Sequence, residues 1–189
     1  MVSIKAGDFR KGLKVQINGE PYIMTSMEFK KPGKGSALYI CKLKNLLRGT
    51  TFDRTYKSND TLEEADIQET DVQFLYKQAD TFVFMDKVSY EQYELSAEKV
   101  GDDWRYLKDN MDCQMTFFGG NPIIMTPPNH VELKVTYCEP GAKGDTSTNV
   151  RKPVTVETGG EFQTPIFVNE GDVIKIDTRT GDYVERVKS

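Results

Sequence analysis

Lys34 stands between two glycines and behind a proline, in Lys31-Pro32-Gly33-Lys34-Gly35-Ser36-Ala37, so its neighbours carry little bulk. A tip of this kind can carry a lysine ammonium into a narrow space, because glycine leaves room around it and proline restrains the approaching chain. Lys30 and Lys31 add positive charge suited to phosphate, an attraction that is indifferent to base sequence and weakens with salt. On composition alone a plain mobile hairpin loop with solvated lysines is the favoured reading.

Other chemistry is thinly represented. His130 is the sole histidine, which removes most metal constellations and leaves any nucleophile-histidine arrangement dependent on a residue beside a proline pair. There is no G-x-G-x-x-G and no P-loop. The carboxylate pairs Glu63-Glu64 and Asp102-Asp103 fit solvated linkers or helix starts better than acid/base work. No catalytic residue and no metal ligand is expected, and the chain reads as a non-enzyme. Cys41, Cys113 and Cys138 are odd in number and lack C-x-x-C spacing, which predicts reduced, buried thiols in a cytoplasm. Residues 1–8 hold no apolar core of an export signal, and no run approaches the roughly 18 apolar residues that span a bilayer, so no membrane partner is expected.

The elements that must hold the loop read as β. Residues 13–17 alternate apolar and polar, Asn18-Gly19 supplies the positive φ angles of a type I′ turn, and Tyr22-Ile23-Met24 begins the return strand. Strands at 37–43 and 51–57 complete a small SH3-like barrel, and the acidic, turn-prone 61–66 marks a boundary. Strands at 72–76 and 81–85, short helices opening at Ser96 and near Asp102, and a hairpin joining 114–118 to 123–126 fit an OB-type barrel. Thr126-Pro127-Pro128-Asn129 is a second boundary, since consecutive prolines cannot donate to a sheet. Strands at 131–137, 154–157, 161–168, 172–177 and 182–187 then make another all-β barrel without a helix. The expected modules are 1–64, 65–126 and 127–189. Their charges differ: 12 Lys/Arg against 7 Asp/Glu, then 5 against 12, then 8 against 10. A basic head on an acidic body suits partial contact with nucleic acid, and ordinary solvated charge explains it equally well.

Asp8-Phe9-Arg10-Lys11-Gly12-Leu13, Asn18-Gly19-Glu20-Pro21-Tyr22, Glu28-Phe29, Lys31-Pro32-Gly33-Lys34-Gly35, Thr126-Pro127-Pro128-Asn129 and Pro140-Gly141-Ala142-Lys143-Gly144-Asp145-Thr146 share order and spacing with one family. Val173-Ile174-Lys175-Ile176-Asp177-Thr178-Arg179-Thr180-Gly181-Asp182-Tyr183-Val184 extends the match to the C-terminal region. With these segments the chain resembles bacterial elongation factor P over essentially its whole length. The resemblance implies an SH3-like (KOW-like) domain and two OB-fold domains in an L-shaped, tRNA-like arrangement. It implies a monomeric, non-enzymatic translation factor that binds the 70S ribosome and its ribosomal RNA beside the P-site peptidyl-tRNA, stimulating peptide-bond formation at consecutive prolines.

The resemblance also assigns roles. It makes Lys34 the target of a lysine-modifying enzyme, bearing an extension of β-lysyl or aminopentanol type toward the peptidyl-transferase centre; no dissociable cofactor is implied. It directs Gly144, Asp145 and Thr146 to exit-site mRNA and sets Tyr183 and Arg186 near RNA, with Lys30 a further RNA-binding candidate. The loop at 146–150 has fewer glycines than many relatives, and three further positions depart from the family pattern. Lys30 stands where relatives are often apolar, and Val154 and Thr164 replace the usual alanine and valine. A divergent paralogue of the same factor and a generic OB-fold nucleic-acid binder are the alternatives, the second disfavoured by the acidic central module.

Overall fold

The computed structural model describes residues 2–140 and 150–187. They hold sixteen strands: β1 (Ser3–Lys5), β2 (Lys14–Ile17), β3 (Glu20–Lys30), β4 (Leu38–Asn45), β5 (Thr51–Lys57), β6 (Thr61–Glu64), β7 (Ile67–Gln78), β8 (Thr81–Asp86), β9 (Gln92–Ser96), β10 (Asp112–Phe118), β11 (Asn121–Thr126), β12 (His130–Cys138), β13 (Arg151–Val156), β14 (Glu161–Pro165), β15 (Val173–Asp177) and β16 (Asp182–Val187). One short helix, α1 (Ala97–Val100), continues into the 3-10 segment Gly101–Tyr106, and a second 3-10 turn spans Ala6–Asp8. The chain divides into two compact units, residues 1–69 with 116–124 and residues 70–115 with 125–189.

The N-terminal sheet has the order β1-β6-β2-β3-β4-β5. Its β2–β3 hairpin turns at Asn18 (φ 53°) and Gly19 (φ 77°), with Ile17 opposite Glu20, as the Asn-Gly pair predicts. Ala6, Phe9, Leu13, Val15, Met24, Cys41, Leu43, Tyr56 and Leu62 form its core. Asn45, almost fully buried, closes the β4–β5 turn: its Oδ1 accepts from the Leu47 and Arg48 amides at 2.8 and 3.0 Å, and its Nδ2 donates to Glu20 Oε2 at 2.8 Å.

The turn-prone reading of 61–64 fails here. Thr61–Glu64 is strand β6, with Leu62 opposite Ile4 in β1 and Glu63 and Glu64 opposite Gln16 and Val15 in β2. A strand flanked on both sides draws its hydrogen bonds from its neighbours. A single buried residue, Leu62, is then enough to anchor an otherwise acidic tetrapeptide.

The central sheet runs β11-β10-β7-β8-β9. Ser96 does cap α1, its hydroxyl accepting from the Lys99 amide at 3.4 Å, but Gly101 (φ 57°) ends the α-helix after four residues. The second expected helix is therefore the 3-10 segment. Strand β9 carries one fully buried side chain, Leu95, too weak a pattern to read beforehand.

The C-terminal sheet runs β14-β13-β12-β15-β16. In β12, Val131, Leu133 and Val135 face the core while the residues between them are exposed, the period-2 pattern of a half-buried strand. The strand expected over 161–168 stops at Pro165, although Val168 beyond it is fully buried. Within the second unit the Arg105 guanidinium lies over the rings of Tyr106 (5.0 Å) and Phe162 (5.2 Å), and its Nη2 donates to the Tyr106 hydroxyl at 2.9 Å. Thr158 Oγ1 donates to the Arg105 carbonyl at 2.6 Å. Gly160 is pressed so closely on this residue that a Cβ there would lie 2.7 Å from Arg105 Cβ and 3.0 Å from Arg105 O.

Candidate functional site

Strands β3 and β4 form a hairpin arm. Eleven residues long, β3 pairs along its whole distal half, with Met27 opposite Cys41, Glu28 opposite Ile40, Phe29 opposite Tyr39 and Lys30 opposite Leu38. The loop 31–37 closes the arm, and residues 31–36 are exposed. Lys34 at its tip makes no hydrogen bond or ion pair with any described residue. The two flanking glycines serve different ends. Gly35 has φ +120°, a conformation that side chains with a Cβ rarely adopt, whereas a Cβ on Gly33 would meet nothing within 4 Å.

The arm is stiffened from the core outward by aromatic rings. Phe9 meets Tyr56 edge-on at 5.3 Å and Tyr39 at 6.4 Å, and Tyr39 meets Phe29 at 5.2 Å. Phe29 is half exposed, so this row of rings runs from buried core to the base of the loop. Burial, ahead of the other influences on it, pushes the Tyr56 hydroxyl above its ordinary value.

Charge at the loop end is less simple than three lysines in a row. Lys30 Nζ lies 3.5 Å from Glu28 Oε1 and both side chains are well exposed, so the pair offsets part of the Lys30 charge without holding the fold. Lys57 enters instead: it stands opposite Leu38, which stands opposite Lys30, so Lys30 and Lys57 face the same side about 10 Å apart across three strands. Lys57 could not be read as part of the site beforehand because that row depends on the β4–β5 register.

Tyr183 and Arg186 lie on β16, in the second unit, opposite Ile176 and Ile174. Tyr183 is half buried, and burial raises its hydroxyl above the ordinary value. Arg186 does not stand alone: Nη1 lies 3.4 Å from Asp172 Oδ2, and the guanidinium sits 5.4 Å from the Phe167 ring centroid, over a phenylalanine that is 54% exposed. Cation and exposed ring together make a better stacking platform than either residue singly, and Phe167 was missed in the sequence. Gly144, Asp145 and Thr146 lie outside the described residues.

The remaining candidates fall into structural roles. Cys41 and Cys113 are buried, and desolvation pushes their thiols up to about 11 and about 12, far from thiolate reactivity; Cys138 is only partly buried. His130 Nε2 lies 3.8 Å from Asp177 Oδ2, whose own stronger partner is Arg179, at 2.8 Å from Nη2. Desolvation raises the Asp103 carboxyl, with Arg105 opposing. No group of three or more potential metal-binding side chains occurs among the described residues. Of the family departures, Val154 and Thr164 are both buried, and the Thr164 hydroxyl donates to the carbonyls of Pro165 (3.3 Å) and Lys152 (3.5 Å), so the polar replacement is satisfied.

Comparison with known proteins matches this architecture piece by piece. Residues 5–62 match the elongation factor P KOW-like domain, 67–125 its OB domain and 131–186 its C-terminal domain. The chain is 58% identical to elongation factor P of Rhodopirellula baltica over 189 residues, covering 100% of this chain and 97% of the relative. It is 50% identical to elongation factor P of Desulforapulum autotrophicum over 182 residues, covering 96% and 97%. Among solved structures, eukaryotic translation initiation factor 5A from Methanococcus jannaschii superposes with a TM-score of 0.57 at 20% identity, over 67% of this chain and 92% of that one, a likeness of fold. A basic arm on a KOW-like sheet, followed by two further β modules, is thus the form this family takes here, and the chain belongs to the elongation factor P family, whose members are translation elongation factors and not enzymes.

Proposed function

We propose that this protein acts in the cytoplasm as a monomer on the 70S ribosome, beside the P-site peptidyl-tRNA, and relieves stalling at consecutive prolines by holding the tRNA acceptor end in a reactive position. The observation that carries this reading is the Lys34 arm. A long paired hairpin, backed by rings from Phe9 to Phe29, ends in a lysine that has no partner among the described residues. Such a lysine contributes nothing to the fold and is available to another molecule. Alignment of reacting groups accounts for up to roughly 7–11 kcal/mol of a barrier in ideal cases, so a positioning factor accelerates a poor reactant such as proline without moving a proton itself.

In this reading a modifying enzyme extends Lys34 with a β-lysyl or aminopentanol-type group, and Lys31, Pro32, Gly33 and Gly35 present it. Lys30 and Lys57 neutralise phosphate near the arm, while Arg186 and Tyr183, with Phe167, meet RNA. Gly144, Asp145 and Thr146 face exit-site mRNA. The modules work as residues 1–64, 65–126 and 127–189.

The test is Lys34→Ala in a reconstituted translation system reading a consecutive-proline template. The variant keeps its melting temperature and loses relief of stalling; an alanine variant as active as the parent overturns the reading. Peptide mass spectrometry of protein from its native cells reads the mass added at Lys34 directly.

A further inference from the structure

The turn joining β8 to β9 presents two apolar side chains to solvent in a fixed geometry. Val88 is 88% exposed and Tyr90 70%, more than any other large hydrophobic side chain described. Tyr90 has φ +61°, a left-handed conformation that costs a residue with a Cβ and suits glycine. It is held there by a dense set of hydrogen bonds. Asp86 Oδ1 accepts from the amides of Val88 and Ser89, both at 2.7 Å, and the Asp86 carbonyl accepts from the Tyr90 amide at 3.0 Å. The Asp86 amide donates to the Glu91 carbonyl at 2.8 Å, and Ser89 Oγ accepts from the Glu91 amide at 3.3 Å. A rigid turn that glycine would occupy more easily carries an aromatic ring outward instead, and leaves that side chain 70% exposed.

The charge around the turn selects the kind of partner. Lys87, the one cation within the turn, is matched by Asp112 at 2.9 Å, and its amide lies against the Asp71 carbonyl. Asp71, Asp86 and Glu91 add further carboxylates, in a region where residues 65–126 carry 12 acidic side chains against 5 basic ones. A phosphate backbone would be repelled here, whereas a cationic protein surface would be attracted.

We propose that the 86–91 turn is a docking knob for a basic protein surface with an apolar recess, into which Tyr90 inserts as the anchor and Val88 packs beside it. Aromatic anchors entering recesses with a charged surround are the form in which small interfaces concentrate their affinity. The proposal rests on the ribosome reading above and deepens it: through this knob the factor touches a protein component of the ribosome and not its RNA.

Photocrosslinking with Tyr90→p-benzoylphenylalanine on purified 70S ribosomes tests it, with Ser36→p-benzoylphenylalanine on the arm as a second probe. The expected adduct from position 90 is destroyed by protease and survives ribonuclease. An RNA adduct at position 90, or none while position 36 crosslinks, overturns the knob and leaves the ribosome reading standing; no adduct at either position overturns both. Tyr90→Gly separates docking from folding, because it relieves the backbone at φ +61° while deleting the ring. Its melting temperature equals or exceeds the parent's, and its affinity for 70S ribosomes falls about tenfold. Unchanged affinity in that variant overturns the proposal.

Discussion

Replacing Gly160 by alanine puts a methyl group where the second unit has no space. The added Cβ would lie 2.7 Å from Arg105 Cβ, 3.0 Å from Arg105 O and 3.2 Å from Arg105 Cα. None of these is the far end of a flexible side chain, so relief requires the 3-10 segment to shift and disturbs the Thr158 bond to the Arg105 carbonyl. Overpacking of this kind costs about 1–3 kcal/mol, and the rigid neighbours argue for the upper part of that range. For a protein of this size the melting temperature then falls by roughly 4–12 °C. The chain's single tryptophan, Trp104, is a built-in reporter, since its Cζ3 lies 3.9 Å from where a Cβ on Gly159 would stand. Its fluorescence on heating reads the neighbourhood of this contact directly. The steric account also predicts coupling. In an Arg105→Gly background the nearest obstacle is gone, so Gly160→Ala costs less there than in the parent, and the double-mutant cycle departs from additivity. A Gly160→Ala protein that melts within about 1 °C of the parent, or a strictly additive cycle, would refute the reasoning.

Two further perturbations test the fold and its charges. Asn45→Ala removes three hydrogen bonds from the β4–β5 turn, those with the Leu47 and Arg48 amides and with Glu20; Leu47 and Arg48 are exposed and Glu20 keeps Tyr22 and Arg48, so at about 0.5–1.5 kcal/mol per bond chemical denaturation should show a loss of about 2 kcal/mol. Asp177 is held down to about 2, against a usual 3.8, chiefly by hydrogen bonds from the Arg179 side chain and then its amide. A depressed carboxylate contributes stability that is complete above its ordinary range and is lost as pH falls through the folded value. Asp177→Asn therefore melts lower than the parent at pH 7, and thermal scans across pH show the gap closing between about pH 4 and pH 2.

Much of this architecture was legible because single residues dictated it. Asn18-Gly19 set the first hairpin, the alternation of Val131, Leu133 and Val135 marked a strand with one wet face, and Ser96 announced a helix start. What escaped depended on partners distant in sequence. β6 is acidic and becomes a strand only because β1 and β2 flank it, and β9 shows one buried leucine. At the site, Pro32-Gly33-Lys34-Gly35 pointed to the tip, but local sequence could not show that only Gly35 needs glycine for its backbone. Lys57 and Phe167 likewise joined their sites through register and packing, which no short motif encodes.

One residue in the arm acts as a parity device. Between Met24, opposite Leu43, and Ser26, opposite Lys42, β3 carries an unpaired Thr25 whose hydroxyl donates to the Lys42 carbonyl at 3.2 Å. Before it the even-numbered residues Tyr22 and Met24 face the core; beyond it the odd-numbered Met27 does, with the half-exposed Phe29 on the same face against Tyr39. Remove that one residue and the count inverts, so that Glu28 and Lys30 would turn toward Tyr39 and Cys41 while both apolar side chains turned to water. The loop at the tip can change length with little consequence for the sheet, but the strand leading to it cannot change by one. The aim of Lys34 is therefore written partly nine residues before it, in an insertion whose own side chain never approaches the tip.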